Sequence, residues 1–163
     1  MTDEVTTSFS QHLTGEHVDR VDEFRRSRDT AVLTMVFTDM AGSKRSKDRL
    51  GDARFMPGWQ RMMDGLEAIV CANQDGQIIH GTGDGVLAVF AEPSTAVRRA
   101  LDIQDEFSAD PAVNLRIGID EGQVYQILNG GVRMDVIGSH VDAAARVQAM
   151  AQPGHICVTT RVE

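Results

Sequence analysis

The chain has 163 residues, 42% of them hydrophobic, and 24 Asp and Glu against 16 Lys and Arg give it a formal net charge of −8. That length is enough for one domain whose core needs no staples, and Cys71 and Cys157, each among apolar neighbours, read as buried thiols rather than as a disulfide framework or zinc site. The negative field opposes nucleic acid as a partner without opposing a small anion held by metal ions; no apolar run approaches a membrane span, and the polar, acidic first twenty residues do not read as a signal peptide, which points to the cytoplasm.

Residues 1–29 carry Phe9, Leu13, Val18, Val21 and Phe24 at loose helical spacing, so they form a lead-in that is helical or only partly ordered. The domain proper is expected over 30–163. Ala31 to Phe37 is an apolar run rich in β-formers and reads as a buried strand, which Thr38-Asp39 ends. Met40 to Ser43 is a turn that opens a helix running through Lys47, Phe55, Trp59, Met62, Leu66 and Ile69, with a kink or split expected at Pro57-Gly58. Its Met and aromatic stripe reads as core. Gln77–His80 and Val86–Phe90 form a hairpin around a glycine-rich tip. Pro93 starts a helix that runs to about Phe107.

Leu115–Ile119 and Gln123–Leu128 are expected as two strands, Ser139–Met150 as an alanine-rich helix, and His155–Thr160 as a last strand. The order is that of an α+β layered sheet with helices mostly on one face: a ferredoxin-like βαββαβ core with added strands.

Two carboxylates stand at strand-end turns, Asp39 after the first strand and Asp84 in Gly83-Asp84-Gly85 at the hairpin tip. If their strands are neighbours, the carboxylates meet. One must then take a proton unless a cation lies between them, and magnesium suits a pair of carboxylates plus substrate phosphates. The plainer reading is that both aspartates only cap turns. The glycine-containing turn Met40 to Ser43 presents backbone N–H groups of the kind that bind phosphate. Arg146, in Ala143-Ala144-Ala145-Arg146, is either a surface arginine or a fork of donors for a phosphate.

Taken together, these segments resemble the catalytic domain of class III adenylate and guanylate cyclases, the small bacterial and mycobacterial-like adenylate cyclases most closely. Three stretches carry the likeness: Val36 to Ser43 (VFTDMAGS), then Gly81 to Gly85 (GTGDG) with Leu87 to Phe90 (LAVF), then Leu115 to Ile119 (LRIGI) leading to Asp135 to Gly138 (DVIG) and Ala143 to Arg146 (AAAR). It spans about Ala31 to Val162.

The likeness implies the cyclase fold and the conversion of ATP to cyclic AMP with two divalent metal ions, Mg2+ or Mn2+. It implies that Asp39 and Asp84 bind the metals, that the Met40 carbonyl adds a ligand, and that the N–H groups of Ala41, Gly42 and Ser43 hold phosphates. Asp135 would accept from the adenine amino group, and Arg146 would steady the transition state from the second copy of a homodimer with shared sites.

The sequence departs from the family pattern at three places. His80 stands where an adenine-reading lysine is expected. Asp142 stands where a transition-state asparagine is expected, and an ionised carboxylate only accepts. The sequence ends at Glu163, before a hairpin whose lysine would meet the phosphates. Guanylate cyclases place Glu at the position of His80 and Cys or a small residue at that of Asp135, so adenine is the favoured base. These departures also support an alternative: a degenerate cyclase-like module for nucleotide binding, dimerisation or regulation.

Overall fold

The first apolar run becomes the centre of a sheet because both its edges and both its faces are covered. The computed structural model describes residues 29–162, and the lead-in expected before Asp29 lies outside the described residues. Strand β1 (Thr30–Met40) pairs antiparallel with β3 (Val86–Phe90) on one side and β4 (Leu115–Asn129) on the other. Leu33 to Val36 are consequently buried without alternation, as two-sided packing requires.

The remaining elements are helices α1 (Ser43–Leu50), α2 (Asp52–Val70), α3 (Pro93–Phe107) and α4 (Ser139–Met150), and strands β2 (Gly76–Gly81), β5 (Val132–Ile137) and β6 (Ile156–Val158). The sheet order is β2-β3-β1-β4-β5, with β6 parallel to β4.

Helices α2 and α3 cover one face. Met62, Leu66, Val70, Ala96, Ala100 and Ile103 pack there with Val36, Ala88, Phe90, Ile117 and Ile119. Helix α4 covers the other, with Ala144 against Leu33, Met35, Leu87, Val89 and Val124. It lies so close to β4 that a Cβ on Gly118 would stand 2.2 Å from the Gln148 backbone nitrogen. Among the described residues, no helix is long and apolar enough to cross a membrane.

Four local expectations are corrected. The two strands expected over 115–128 are one: Glu121 and Gly122 stay in register opposite Thr34 and Leu33, so the Gly-containing step does not end β4. The early helix breaks at Gly51 (φ 75°) rather than at Pro57, which is carried inside α2 on an exposed stretch where water can serve the carbonyl it leaves unpaired. Strand β1 runs through Asp39 to Met40. Cys71 is exposed and Cys157 half-buried, because Cys71 caps α2 one residue beyond the inward-facing Val70.

Candidate active site

The end of β1 and the tip of the β2–β3 hairpin are bound to one another by backbone. The Met40 N–H donates to the Asp84 carbonyl (2.9 Å), and the Val86 N–H donates to Thr38 Oγ1 (3.0 Å). Glycine is needed for this approach, since a Cβ on Gly85 would stand 1.8 Å from the Thr38 carbonyl oxygen. Gly85→Ala should therefore cost about 1–3 kcal/mol of stability by overpacking and displace Asp84, checked by thermal denaturation alongside an activity assay.

The result is that the Asp39 and Asp84 side chains meet. Burial raises the Asp39 carboxyl above its ordinary range, and the adjoining Asp84 pushes it the same way by hydrogen bonding and by charge, against the opposing pull of Arg116. Arg116, opposite Asp39 in the β1–β4 register, donates from Nε (3.1 Å) and from Nη2 to Asp39 Oδ2. The Ser43 hydroxyl, in the first turn of α1, donates to Asp84 Oδ2.

One wall of the hairpin tip is held by Trp59, whose Nε1–H donates to the Gly83 carbonyl (2.8 Å). Ser43, Lys44, Lys47, Phe55, Trp59 and Asp84 line a cavity of about 450 Å3 at this point. The two lysines give it local positive charge in a chain that is negative overall.

The donor set here suits a hard divalent cation: two neighbouring carboxylates, one resisting ionisation, with only oxygen atoms to offer as ligands. Among the described residues no three His, Cys, Asp or Glu gather as a closed metal cage. The remaining coordination would thus fall to water and phosphate oxygens.

Of the three amides expected to meet phosphate, the Ala41 N–H is already donated to the Asn114 carbonyl (2.8 Å), which corrects that expectation. Gly42 and Ser43 remain as the residues that open α1, where N–H groups lack intrahelical acceptors. The Met40 side chain is in the core.

A second group forms where the sheet edges approach. His80 Nε2 on β2 lies 3.8 Å from Asp135 Oδ1 on β5. Asp135 Oδ1 also accepts the Val136 N–H (2.8 Å). Asp142 and Arg146 join neither group: both are exposed on α4, over the opposite face of the sheet from α2 and α3.

Sequence reasoning missed Arg116. Its signal was its place in the quoted LRIGI stretch, but only the strand register shows that it faces Asp39.

Residues 26–163 match the family model described as the adenylate and guanylate cyclase catalytic domain. "Putative adenylate cyclase 3" of Rhizobium meliloti (strain 1021) is 30% identical over 111 residues, 64% of this chain and 17% of its own length. The uncharacterized protein Rv2212 of Mycobacterium tuberculosis is 35% identical over 88 residues, 53% of this chain and 22% of its own. The chain thus spans about a fifth of these curated relatives.

Among solved structures, an adenylate/guanylate cyclase/hydrolase from Silicibacter pomeroyi is 32% identical with a TM-score of 0.66, covering 83% of this chain and 79% of that one. The dimeric guanylyl cyclase domain of a Blastocladiella emersonii fusion protein shares the fold at a TM-score of 0.74 and 19% identity, with 83% of each chain covered.

Proposed function

This chain belongs to the adenylate and guanylate cyclase catalytic domain family, and from that premise we propose that it converts ATP to cyclic AMP and pyrophosphate at sites shared by two copies of the domain. The observation that carries the reading is the backbone joint that places Asp39 beside Asp84, next to the opening turn of α1.

In this reading Asp39 and Asp84, with the Met40 carbonyl, hold two divalent cations, Mg2+ or Mn2+. When bound, these neutralise phosphate oxygens and ease ionisation of the ribose 3′-hydroxyl. The chain's own residues do the rest. Trp59 and Ser43 fix the hairpin tip so that Asp84 keeps its place. The Gly42 and Ser43 amides receive phosphate oxygens at a helix N-terminus. Arg116, displaced from Asp39 once that carboxylate is engaged, stays beside the phosphates as a fork of donors.

His80 and Asp135 face the base. Asp135 accepts from an amino group, which adenine has at the edge where guanine presents a carbonyl. Within its own chain, among the described residues, Arg146 forms no ion pair with Asp39 or Asp84. It serves the site of a second copy, stabilising charge that spreads as the 3′-oxygen attacks the α-phosphorus. Support for a second copy comes from the β4–β5 hairpin, where Tyr125, Ile127, Val132, Met134 and Ile137 are large, apolar and exposed.

The test is incubation of the protein with ATP and Mn2+, with cyclic AMP measured by chromatography. Formation of cyclic AMP is expected. A response of Trp59 fluorescence to Mn2+ and ATP with no product would favour the alternative, a module that binds nucleotide without turning it over. Beside the departures at His80 and Asp142, the bond from Arg116 that already engages Asp39 favours that alternative.

Asp142 gives a further expectation. A carboxylate accepts but does not donate and adds repulsion near a triphosphate, so Asp142→Asn should raise kcat by roughly tenfold, the effect of about 1.4 kcal/mol. An unchanged or lower kcat would refute this role.

A further inference from the structure

Strands β2 and β5 are the two ends of the sheet path and share no backbone ladder, yet their side chains meet. The His80–Asp135 approach is one such meeting. The other is a set of amide and guanidinium bonds. Arg133 Nε donates to Gln126 Oε1 (2.6 Å), Arg133 Nη1 donates to Gln77 Oε1 (3.3 Å), and Gln77 Nε2 donates back to the Arg133 carbonyl (2.8 Å).

Gln77 lies on β2, Gln126 on β4 and Arg133 on β5, so one guanidinium spans three strands. Its two side-chain acceptors are amide oxygens and not carboxylates, although it is half-buried. Burial lowers its pKa. An arginine placed there for charge pairing would have been given an acid. What this geometry uses is the fork, which bonds two acceptors at a fixed separation.

Both strands break register between the bridging residue and the residue that faces the base. On β2 the irregularity falls between Ile78 and His80, and on β4–β5 it falls where Ile127 pairs with Asp135 and Leu128 with Arg133. Bulges of this kind re-aim side chains. No ladder joins the two edges directly, so what bridges them beside His80 and Asp135 is side chains.

Resting on the cyclase reading above, we propose that Arg133, with Gln77 and Gln126, is a specificity-determining clamp: it holds the two sheet edges at the spacing that lets His80 and Asp135 discriminate adenine from guanine. It is a positioning device, since it acts on the base only through that pair.

The experiment compares the full chain with Arg133→Met, Arg133→Lys and Gln77→Glu. For each, kcat and KM are measured with ATP and with GTP in Mn2+, and the affinities of fluorescent N-methylanthraniloyl ATP and GTP are measured by titration in Ca2+. Arg133→Lys keeps charge and stem but loses the fork, whereas Gln77→Glu keeps an acceptor for it.

Both Arg133 variants should lose about tenfold in the ATP-to-GTP ratio of kcat/KM, through KM for ATP. Gln77→Glu, which keeps the acceptor and loses only the donor to the Arg133 carbonyl, should lose less of the ratio than either Arg133 variant. Should Arg133→Met fail to fold, Arg133→Lys carries the comparison. An unchanged ratio in a folded Arg133 variant, or equal losses with both nucleotides, overturns the clamp and leaves the cyclase reading standing. Absence of turnover in the wild type, with binding that still prefers ATP, overturns the cyclase reading, and the binding ratio then decides the clamp. Binding without preference in the wild type overturns the clamp.

Discussion

Asp84→Ala is expected to reduce cyclic AMP formation by on the order of 10³-fold, the scale on which loss of one preorganised electrostatic partner is felt in an active site. The fold should survive, because what joins the hairpin tip to β1 is the Asp84 carbonyl, Thr38 and Gly85, not the Asp84 side chain.

The same change should lower the Asp39 carboxyl, whose upward displacement comes first from burial and then in part from Asp84. The sign of the linked stability follows. With its folded pKa above the unfolded value, Asp39 contributes nothing where both states are protonated. As pH rises from below the unfolded value through the folded one, the unfolded chain gives up its proton first and the fold loses stability.

A divalent cation counters that loss by favouring the ionised pair, so Mn2+ should raise the melting temperature at neutral pH and progressively less in acid, where protons compete. In Asp84→Ala the Mn2+ effect should largely vanish. Cyclase kinetics and thermal shift with and without Mn2+ check both halves. Activity within tenfold of wild type would remove Asp84 from the mechanism.

The convergence of Asp39 and Asp84 was legible in the sequence for a local reason. A β-rich run ending in Thr-Asp and a Gly-Thr-Gly-Asp-Gly tip between short strands are strong signals, and antiparallel neighbours bring such ends together. What failed to show were consequences of register and long-range packing. The Ala41 amide is consumed by Asn114, 73 residues on, which no turn pattern reveals. Arg116 faces Asp39 only because β1 and β4 pair at those positions. Cys71 has an apolar preceding residue, yet it lies about 100° further around the helix axis than the buried Val70. The bridge from Gln77 to Arg133 joins strands that no ladder links.

A cluster with no signature in the sequence should add to the stability of the domain. Asp120, in the middle of β4, is fully buried. It accepts from Arg161 Nε (3.0 Å) and Nη2 (3.2 Å), from the Thr159 hydroxyl, and lies 2.9 Å from His140 Nδ1. These partners come from the start of α4 and from the segment after β6, so one carboxylate fastens both to the centre of the sheet. His140 lies flat over Gly122, where a Cβ would stand 2.3 Å from the ring.

Burial alone would raise the Asp120 carboxyl, but the bonds from Arg161, Thr159 and His140 outweigh it and hold the group below its ordinary range. Its stabilisation is therefore present above the unfolded carboxylate pKa and is lost as pH falls through the lower folded value. Removing the acid leaves the Thr159 hydroxyl and His140 Nδ1 without their acceptor, while the exposed Arg161 fork turns to water, a change that costs roughly 1–3 kcal/mol. Asp120→Ala should accordingly lower the melting temperature by roughly 2–12 °C at neutral pH, with the deficit narrowing in strong acid, where the wild type also loses the ionised carboxylate. Thermal unfolding of both proteins between neutral pH and pH 3 measures this, and a mutant within about 1 °C of wild type at neutral pH would show that the cluster contributes nothing net.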